Sequence, residues 1–151
     1  MSQGFVMLVE DDPNQVELAK RAFSKQGLTN VLDRLVVTRD GQEALDYLLG
    51  TGQYAHRDPT ILPEFVLLDV RLPKVSGLEV LKRIRSEEHT KLLPVIVYSS
   101  SEQDPDVRSA YELGGNSYIT KPSDFKRFSE AMRALGWFWL EWNVPPPPPS
   151  A

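Results

Sequence analysis

Short apolar runs and amphipathic stretches alternate along the chain five times. The apolar runs are Phe5–Val9, Val31–Val37, Phe65–Leu68, Val95–Tyr98 and Tyr118–Ile119. Three of them are almost wholly apolar rather than alternating, the pattern of parallel strands covered on both faces. Each run is followed by residues that start a helix. Asp12-Pro13 sets a capping side chain before a proline at the first helical position. Val16, Ala19 and Phe23 then recur at helical spacing, and Gly27 is the expected stop. Asp40 with Glu43, and Ser76 with Glu79, have the spacing of a capping box. Asp104-Pro105 opens a fourth helix that Leu113-Gly114-Gly115 closes. A fifth begins near Ser123 and aligns Phe125, Phe128, Met132 and Leu135 in one stripe. Repeated strand–helix units of this kind predict a parallel sheet with right-handed crossovers and helices on both faces. Two segments stand outside the rhythm. Leu49 to Glu64 is a long connection rich in Gly, Pro and polar residues. Gly136 to Ala151 holds all three tryptophans and ends in five consecutive prolines, Pro145 to Pro149.

Composition narrows the function classes. The chain has 151 residues, 41% hydrophobic and 25% charged, which suits one folded domain with a core of its own. With no cysteine there is neither a disulfide framework nor a thiolate metal site, and the two isolated histidines, His56 and His89, argue against a histidine metal cluster. The longest apolar runs, such as Phe5–Val9, fall far short of the ~20 residues that span a bilayer. Met1-Ser2-Gln3-Gly4 has no basic start of a signal peptide, so the expected location is the cytoplasm. A net charge of −4 argues against a nucleic-acid binder.

The polar residues converge once they are placed on this scaffold. Glu10, Asp11 and Asp12 follow the first strand, Asp69 ends the third, Ser99 ends the fourth and Lys121 follows the fifth. In an open α/β sheet the carboxyl ends of the strands line the ligand crevice. Carboxylates a few Å apart repel and raise one another's pKa unless a cation sits among them. An all-oxygen donor set with few protein ligands favours Mg²⁺. Asp69 is the one of these carboxylates at the end of a central strand, where it could attack a phosphoryl group and form an aspartyl phosphate. Mg²⁺ and Lys121 would offset the charge on the transferring group. Taken singly, Asp12 reads as a helix cap rather than a ligand, Asp69 as a turn residue, Ser99 as a loop hydroxyl and Lys121 as a solvated cation. Their joint placement at four strand ends favours a site.

Val9-Glu10-Asp11-Asp12-Pro13, Leu68-Asp69-Val70-Arg71-Leu72-Pro73, Gly77, Ser99 and Tyr118-Ile119-Thr120-Lys121-Pro122 resemble the motif set of the receiver domain of two-component response regulators. Spacing carries the resemblance: Pro73 and Gly77 lie four and eight residues past Asp69, Ser99 thirty past it, and Lys121 twenty-two past Ser99. It covers roughly residues 4–135. The resemblance implies an α/β fold of three layers, the (βα)5 flavodoxin-like receiver fold, with a parallel five-stranded sheet of order 2-1-3-4-5. It implies that Asp69 is the phosphoacceptor, and that Glu10, Asp11, Asp69 and the backbone carbonyl of Arg71 hold Mg²⁺ (or Mn²⁺). Ser99 would donate to a phosphoryl oxygen, Lys121 would pair with the phosphoryl, and Tyr118 would be the aromatic switch that answers Ser99. The Lys121–Pro122 bond is expected to be cis. Such a protein is a phosphoacceptor that assists its own Mg²⁺-dependent phosphorylation and dephosphorylation, not an enzyme with a separate substrate. Glu10 and Ser99 stand where Asp and Thr are also common.

The Leu49–Glu64 insertion and the aromatic tail are similar to stand-alone receivers paired with bacterial phytochromes. That narrower resemblance implies a receiver over 1–135, an extension over 136–151, no output domain, and signalling through another protein. The implied partner is a sensor histidine kinase of bacteriophytochrome type. A homodimer is expected, with Trp137, Phe138, Trp139 and Trp142 at its interface and Pro145–Pro149 as a stiff polyproline arm reaching a neighbouring subunit. The face made by the fourth helix, fifth strand and fifth helix is the other candidate interface. Rival readings fail on single positions. A haloacid-dehalogenase-like phosphatase wants a second Asp two residues after the nucleophile, where Arg71 stands. A flavodoxin wants a hydroxyl- and glycine-rich phosphate loop, where Glu10-Asp11-Asp12 would repel phosphate. The Gly-rich Lys-containing loop of P-loop NTPases is absent from the sequence. A phosphorylation-independent pseudo-receiver usually lacks one of the acid, Asp or Lys positions, and all are present.

Overall fold

The structure is a computed structural model that describes residues 4–25, 33–100 and 104–149. Its strands are β1 (Val6–Val9), β2 (Leu35–Thr38), β3 (Phe65–Asp69), β4 (Val95–Ser99) and β5 (Ser117–Thr120). The helices are α1 (Pro13–Lys25), α2 (Gly41–Leu49), α3 (Gly77–Ser86), α4 (Asp104–Glu112) and α5 (Phe125–Gly136), with a short 3-10 turn at Gly52–Tyr54. All strand pairs are parallel and the order is β2-β1-β3-β4-β5.

The apolar strands follow from burial on two sides. Val6, Leu8, Phe65, Leu67, Ile96 and Tyr98 point to the layer of α1 and α5, where Val16, Phe23, Phe128 and Met132 cover them. The alternate residues Met7, Val9, Val66, Leu68, Val95 and Val97 pack on Ala44, Leu48, Val80, Ile84 and Ala110 from α2, α3 and α4. Every position of β1, β3 and β4 is buried, so their sequences need no polar alternation.

Local chemistry starts the helices as expected. Asp12 Oδ1 accepts from the Asn14 amide at 2.9 Å, Asp40 Oδ1 from Glu43 at 2.7 Å, and Ser76 Oγ from Glu79 at 3.3 Å. Glu43 also reaches back to the Arg39 amide at 2.9 Å. Strand β2 begins later than the apolar run suggests: its first paired residue is Leu35, opposite Val6, and Asp33-Arg34 form a turn. Hydrophobicity marks what can be buried, whereas the strand start is set by where β1 begins. Residues 31 and 32, and the expected stop at Gly27, lie outside the described residues. The insertion is pinned to α2. Tyr54 donates to Glu43 Oε2 at 2.8 Å, which pushes its hydroxyl up to about 12, and the Arg57 guanidinium lies 3.7 Å from the Tyr47 ring centroid.

The tail divides. Trp137–Trp142 continues α5 as a π-helical turn, and the Asn143 amide closes it on the Phe138 carbonyl at 2.7 Å. Trp139 and Leu140 turn inward onto the α1–α5 core, with the Trp139 ring tilted at 40° to that of Phe65 and their centroids 6.5 Å apart. Trp137, Phe138 and Trp142 stay outside, 58%, 47% and 65% exposed. Beyond them Pro146 and Pro149 are half-buried while Pro145, Pro147 and Pro148 are exposed, the three-residue period of polyproline II. The prolines line a cavity of about 260 Å³ whose other walls include Leu62, Pro63, His89 and Leu92. The arm therefore lies along its own chain here instead of projecting outward, because apolar proline rings gain cover from the loops that lead into β3 and β4.

Candidate functional site

The parallel sheet brings the carboxyl ends of β1, β3, β4 and β5 together, and each carries a polar residue there. Glu10 follows β1, tied by its amide to the Thr38 carbonyl at 3.0 Å. Asp69 is the last residue of β3 and stands opposite Tyr98 in the register with β4. Ser99 ends β4, and its carbonyl accepts from the Lys121 amide at 2.7 Å, which fixes where the lysine leaves β5. Gly77 lets α3 close on this end. Its amide donates to the Val70 carbonyl at 2.8 Å, and a Cβ there would lie 2.0 Å from the Asp69 carbonyl oxygen.

Lys121 is the cationic centre. Its Nζ is 2.9 Å from Glu10 Oε1 and 3.2 Å from Asp69 Oδ2. The same ammonium lies 4.4 Å from the Tyr98 ring centroid. The Tyr98 hydroxyl donates to Glu10 Oε1 at 2.6 Å, and the Asp12 amide to Oε2 at 3.3 Å. The Arg71 amide donates to Asp69 Oδ1 at 3.3 Å. Glu10, Asp11 and Asp69 each bring one carboxylate oxygen within 4.8 Å of the others; Glu10 and Asp69 are buried and Asp11 is exposed.

The two buried carboxyls diverge. Burial, then the hydrogen bond and charge of Glu10, push Asp69 up to about 6 against the pull of Lys121. Burial works against the charge of Glu10 too, but hydrogen bonds from Tyr98 and Lys121 outweigh it and hold its carboxyl below the usual range. Tyr98 is raised by burial and by the neighbouring Glu10 charge, so its hydroxyl keeps its proton and remains a donor. Two carboxylates with one ammonium between them still carry net negative charge, and a further cation would settle among them.

Residues 6–133 match the model of the response regulator receiver domain. The chain belongs to that family. The probable methanogenesis regulatory protein FilR2 of Methanothrix harundinacea (strain 6Ac) is 40% identical over 146 residues, 95% of this chain and 88% of that protein. Response regulator Rcp1 of Synechocystis sp. (strain ATCC 27184 / PCC 6803 / Kazusa) is 34% identical over 137 residues, 90% of this chain and 88% of that protein. The crystal structure of the Mn²⁺-bound form of a response regulator Rcp1 superposes with a TM-score of 0.82 at 31% identity, over 95% of this chain and 99% of that one. The phosphorylated cyanobacterial phytochrome response regulator RcpA superposes with a TM-score of 0.86 at 34% identity, over 97% of this chain and all of that one. This receiver is thus related to phytochrome response regulators, and its sheet has the flavodoxin-like order.

The receiver brings Glu10, Asp11, Asp69 and Lys121 into one space, with Ser99 buried at its edge. Asp12 stays outside the carboxylate cluster as the cap of α1. Arg71 meets the site through its backbone, while its side chain is exposed. Tyr118 is half-buried opposite Val97 on the α2–α3–α4 side of the sheet. The expected cis bond is absent: no described peptide bond is cis, so Lys121–Pro122 is trans. A bond before proline prefers trans by only ~0.5–1 kcal/mol, so its surroundings choose the isomer and the dipeptide does not. In the sequence Tyr98 reads as one more apolar residue of a strand. The available signal is alternation along β4, which puts Tyr98 with Ile96 on the α1–α5 side of the sheet, opposite Asp69 in the register.

Proposed function

We propose that this receiver accepts a phosphoryl group on Asp69 from a sensor histidine kinase, a phytochrome-type kinase in particular, and signals by binding other proteins. The observation that carries the reading is Asp69 itself, buried at the end of a central strand with the Lys121 ammonium 3.2 Å from Oδ2. In the transfer a carboxylate oxygen of Asp69 attacks phosphorus, the P–O bond forms as the P–N bond of phosphohistidine breaks, and the imidazole leaves. Lys121 follows the charge onto the phosphoryl oxygens. Ser99 supplies a hydroxyl to one of those oxygens, and Tyr118 fills the space that movement vacates. Glu10, Asp11, Asp69 and the Arg71 carbonyl form an all-oxygen donor set that suits Mg²⁺ or Mn²⁺. Such an ion supplies charge neutralisation on the transferring oxygens. Phosphorylation and its loss are reactions of the protein on itself. Residues 1–135 act as the receiver and 136–151 as an added binding surface. No helix among the described residues is long and apolar enough to cross a membrane.

Incubation with acetyl phosphate and Mg²⁺ should add one phosphoryl group, mapped to Asp69, and EDTA should prevent it. A label on any other residue, or none, overturns the reading.

The exposed tail surface supports a second element, a homodimer. Trp137 and Trp142 meet edge to face, with 5.6 Å between ring centroids, and both remain open to solvent beside Phe138. Aromatic patches of this kind are favoured at interface hot spots. Trp139 instead packs, half-buried, against the core, so a truncation that removes it would also disturb the fold. The informative variant is Trp137→Ser with Trp142→Ser. Light scattering at micromolar concentration should show a dimer for the natural chain and a monomer for the variant. A dimer that survives both substitutions moves the interface to the face of α4, β5 and α5.

A further inference from the structure

Tyr98 has no part in the reading above, yet it touches two of its residues. We infer that Tyr98 is a positioning residue for divalent-cation binding, its hydroxyl selecting which oxygen of Glu10 is left to face Asp11 and Asp69. The inference rests on the reading of those three carboxylates as a cation site.

Glu10 Oε1 accepts from two strong donors, the Tyr98 hydroxyl at 2.6 Å and the Lys121 ammonium at 2.9 Å. Among the described residues, Glu10 Oε2 accepts from the Asp12 amide at a longer 3.3 Å. An ionised carboxylate is acceptor-only with about four lone-pair sites. Oε1 is therefore committed, and Oε2 has capacity left for a cation or a water bound to one. Glutamate needs such an anchor more than aspartate would, since its extra methylene adds a rotatable bond between backbone and carboxylate.

Tyr98 can serve as that anchor because it cannot move. It is among the largest fully buried side chains, packed with Phe65, Phe128 and Met132 between the sheet and the layer of α1 and α5. A close-packed interior holds such a ring in one rotamer. The hydroxyl is thus held at a fixed point, and the ring face also seats the Lys121 ammonium. Hydrogen-bond partners behind metal-binding side chains set ligand orientation, and their loss typically costs 10–100-fold in metal affinity.

Tyr98→Phe keeps the ring, the packing and the cation–π contact and removes only the donor. Mn²⁺ titration of the full-length protein, read from the free-ion electron paramagnetic resonance signal, should show about tenfold weaker binding in the variant. In a Glu10→Gln background the same substitution should change Mn²⁺ affinity by less than about twofold, because the coupling runs through that carboxylate. A purely structural role would lower the melting temperature and leave the Mn²⁺ constant of the folded protein unmoved. Equal constants for the natural protein and Tyr98→Phe overturn the inference while the cation site stands. A natural protein that binds no Mn²⁺ overturns the site and the inference together. The unsubstituted protein offers a separate readout should the variant fold poorly. The Tyr98 hydroxyl proton, observed by NMR with tyrosine-selective labelling, should shift on Mg²⁺ addition with the midpoint of metal binding. A resonance unmoved at saturating Mg²⁺ also overturns the inference.

Discussion

Asp69→Asn should abolish phosphoryl uptake and, in metal-free buffer, make the folded protein more stable at neutral pH. The first effect removes the nucleophile, since an amide oxygen cannot form the acyl phosphate. The second comes from where the carboxylate sits. Burial and Glu10 push Asp69 up to about 6 from an ordinary 3.8. Between those two values the folded chain binds more protons than the unfolded one, so stability falls as pH rises through that window and stays lower above it. Asparagine is nearly isosteric and carries no charge, so it escapes the penalty. One pKa unit corresponds to ~1.4 kcal/mol, and the pull of Lys121 is already contained in the net shift, so the gain is roughly 1–3 kcal/mol at pH 7.5. Urea unfolding of both proteins with EDTA should show the gap opening between pH 4 and pH 7. An asparagine variant less stable than the natural protein at pH 7.5 would mean that Lys121 more than compensates for the buried charge.

The opposite substitution tests the other half of the balance. Lys121→Met should destabilise the metal-free protein by about 2–4 kcal/mol at pH 7.5, as breaking a buried pair costs roughly 3–5 kcal/mol and proton uptake relieves some of it. Without the ammonium, buried Glu10 and Asp69 face each other with no cation between them. The carboxyl of Asp69 then rises further, so the loss grows with pH and shrinks in acid, where the proton stands in for the lysine. Combining Lys121→Met with Asp69→Asn should recover most of the stability, because only one buried carboxylate remains. Saturating Mg²⁺ should do the same for the single variant by binding the folded state. A methionine variant with the unfolding midpoint of the natural protein in EDTA would remove Lys121 from the role of compensating charge.

Much of this molecule is legible in its residue order because the governing physics is local or periodic. A strand buried on both faces needs a continuous apolar run, and Phe65–Leu68 and Val95–Tyr98 are such runs; the structure extends each by one polar residue, Asp69 and Ser99. Helix starts are chosen within four residues, so Asp12, Asp40 and Ser76 announce them. Parallel strand–helix repeats send every carboxyl end to the same edge, which is why residue order alone groups Glu10, Asp69 and Lys121.

Tertiary structure alone decided the rest, where a residue's partner lies far along the chain. Tyr98 reads as core until the sheet register sets its hydroxyl on Glu10, 88 residues away, since no sequence period encodes that pairing. The start of β2 depends on where β1 begins, not on where hydrophobicity begins. Trp139 goes inside and Trp137 and Trp142 outside because a π-helical turn, wider than an α-helical one, changes which side chains meet Phe65. Pro145–Pro149 is stiff by sequence, but which surface it follows depends on loops brought near it by the sheet. The Lys121–Pro122 bond is trans because two nearly equal isomers are separated only by their surroundings. Residue order determined the elements and the edge at which the charges gather; long-range contacts determined which charge is held, by which donor, and in which protonation state.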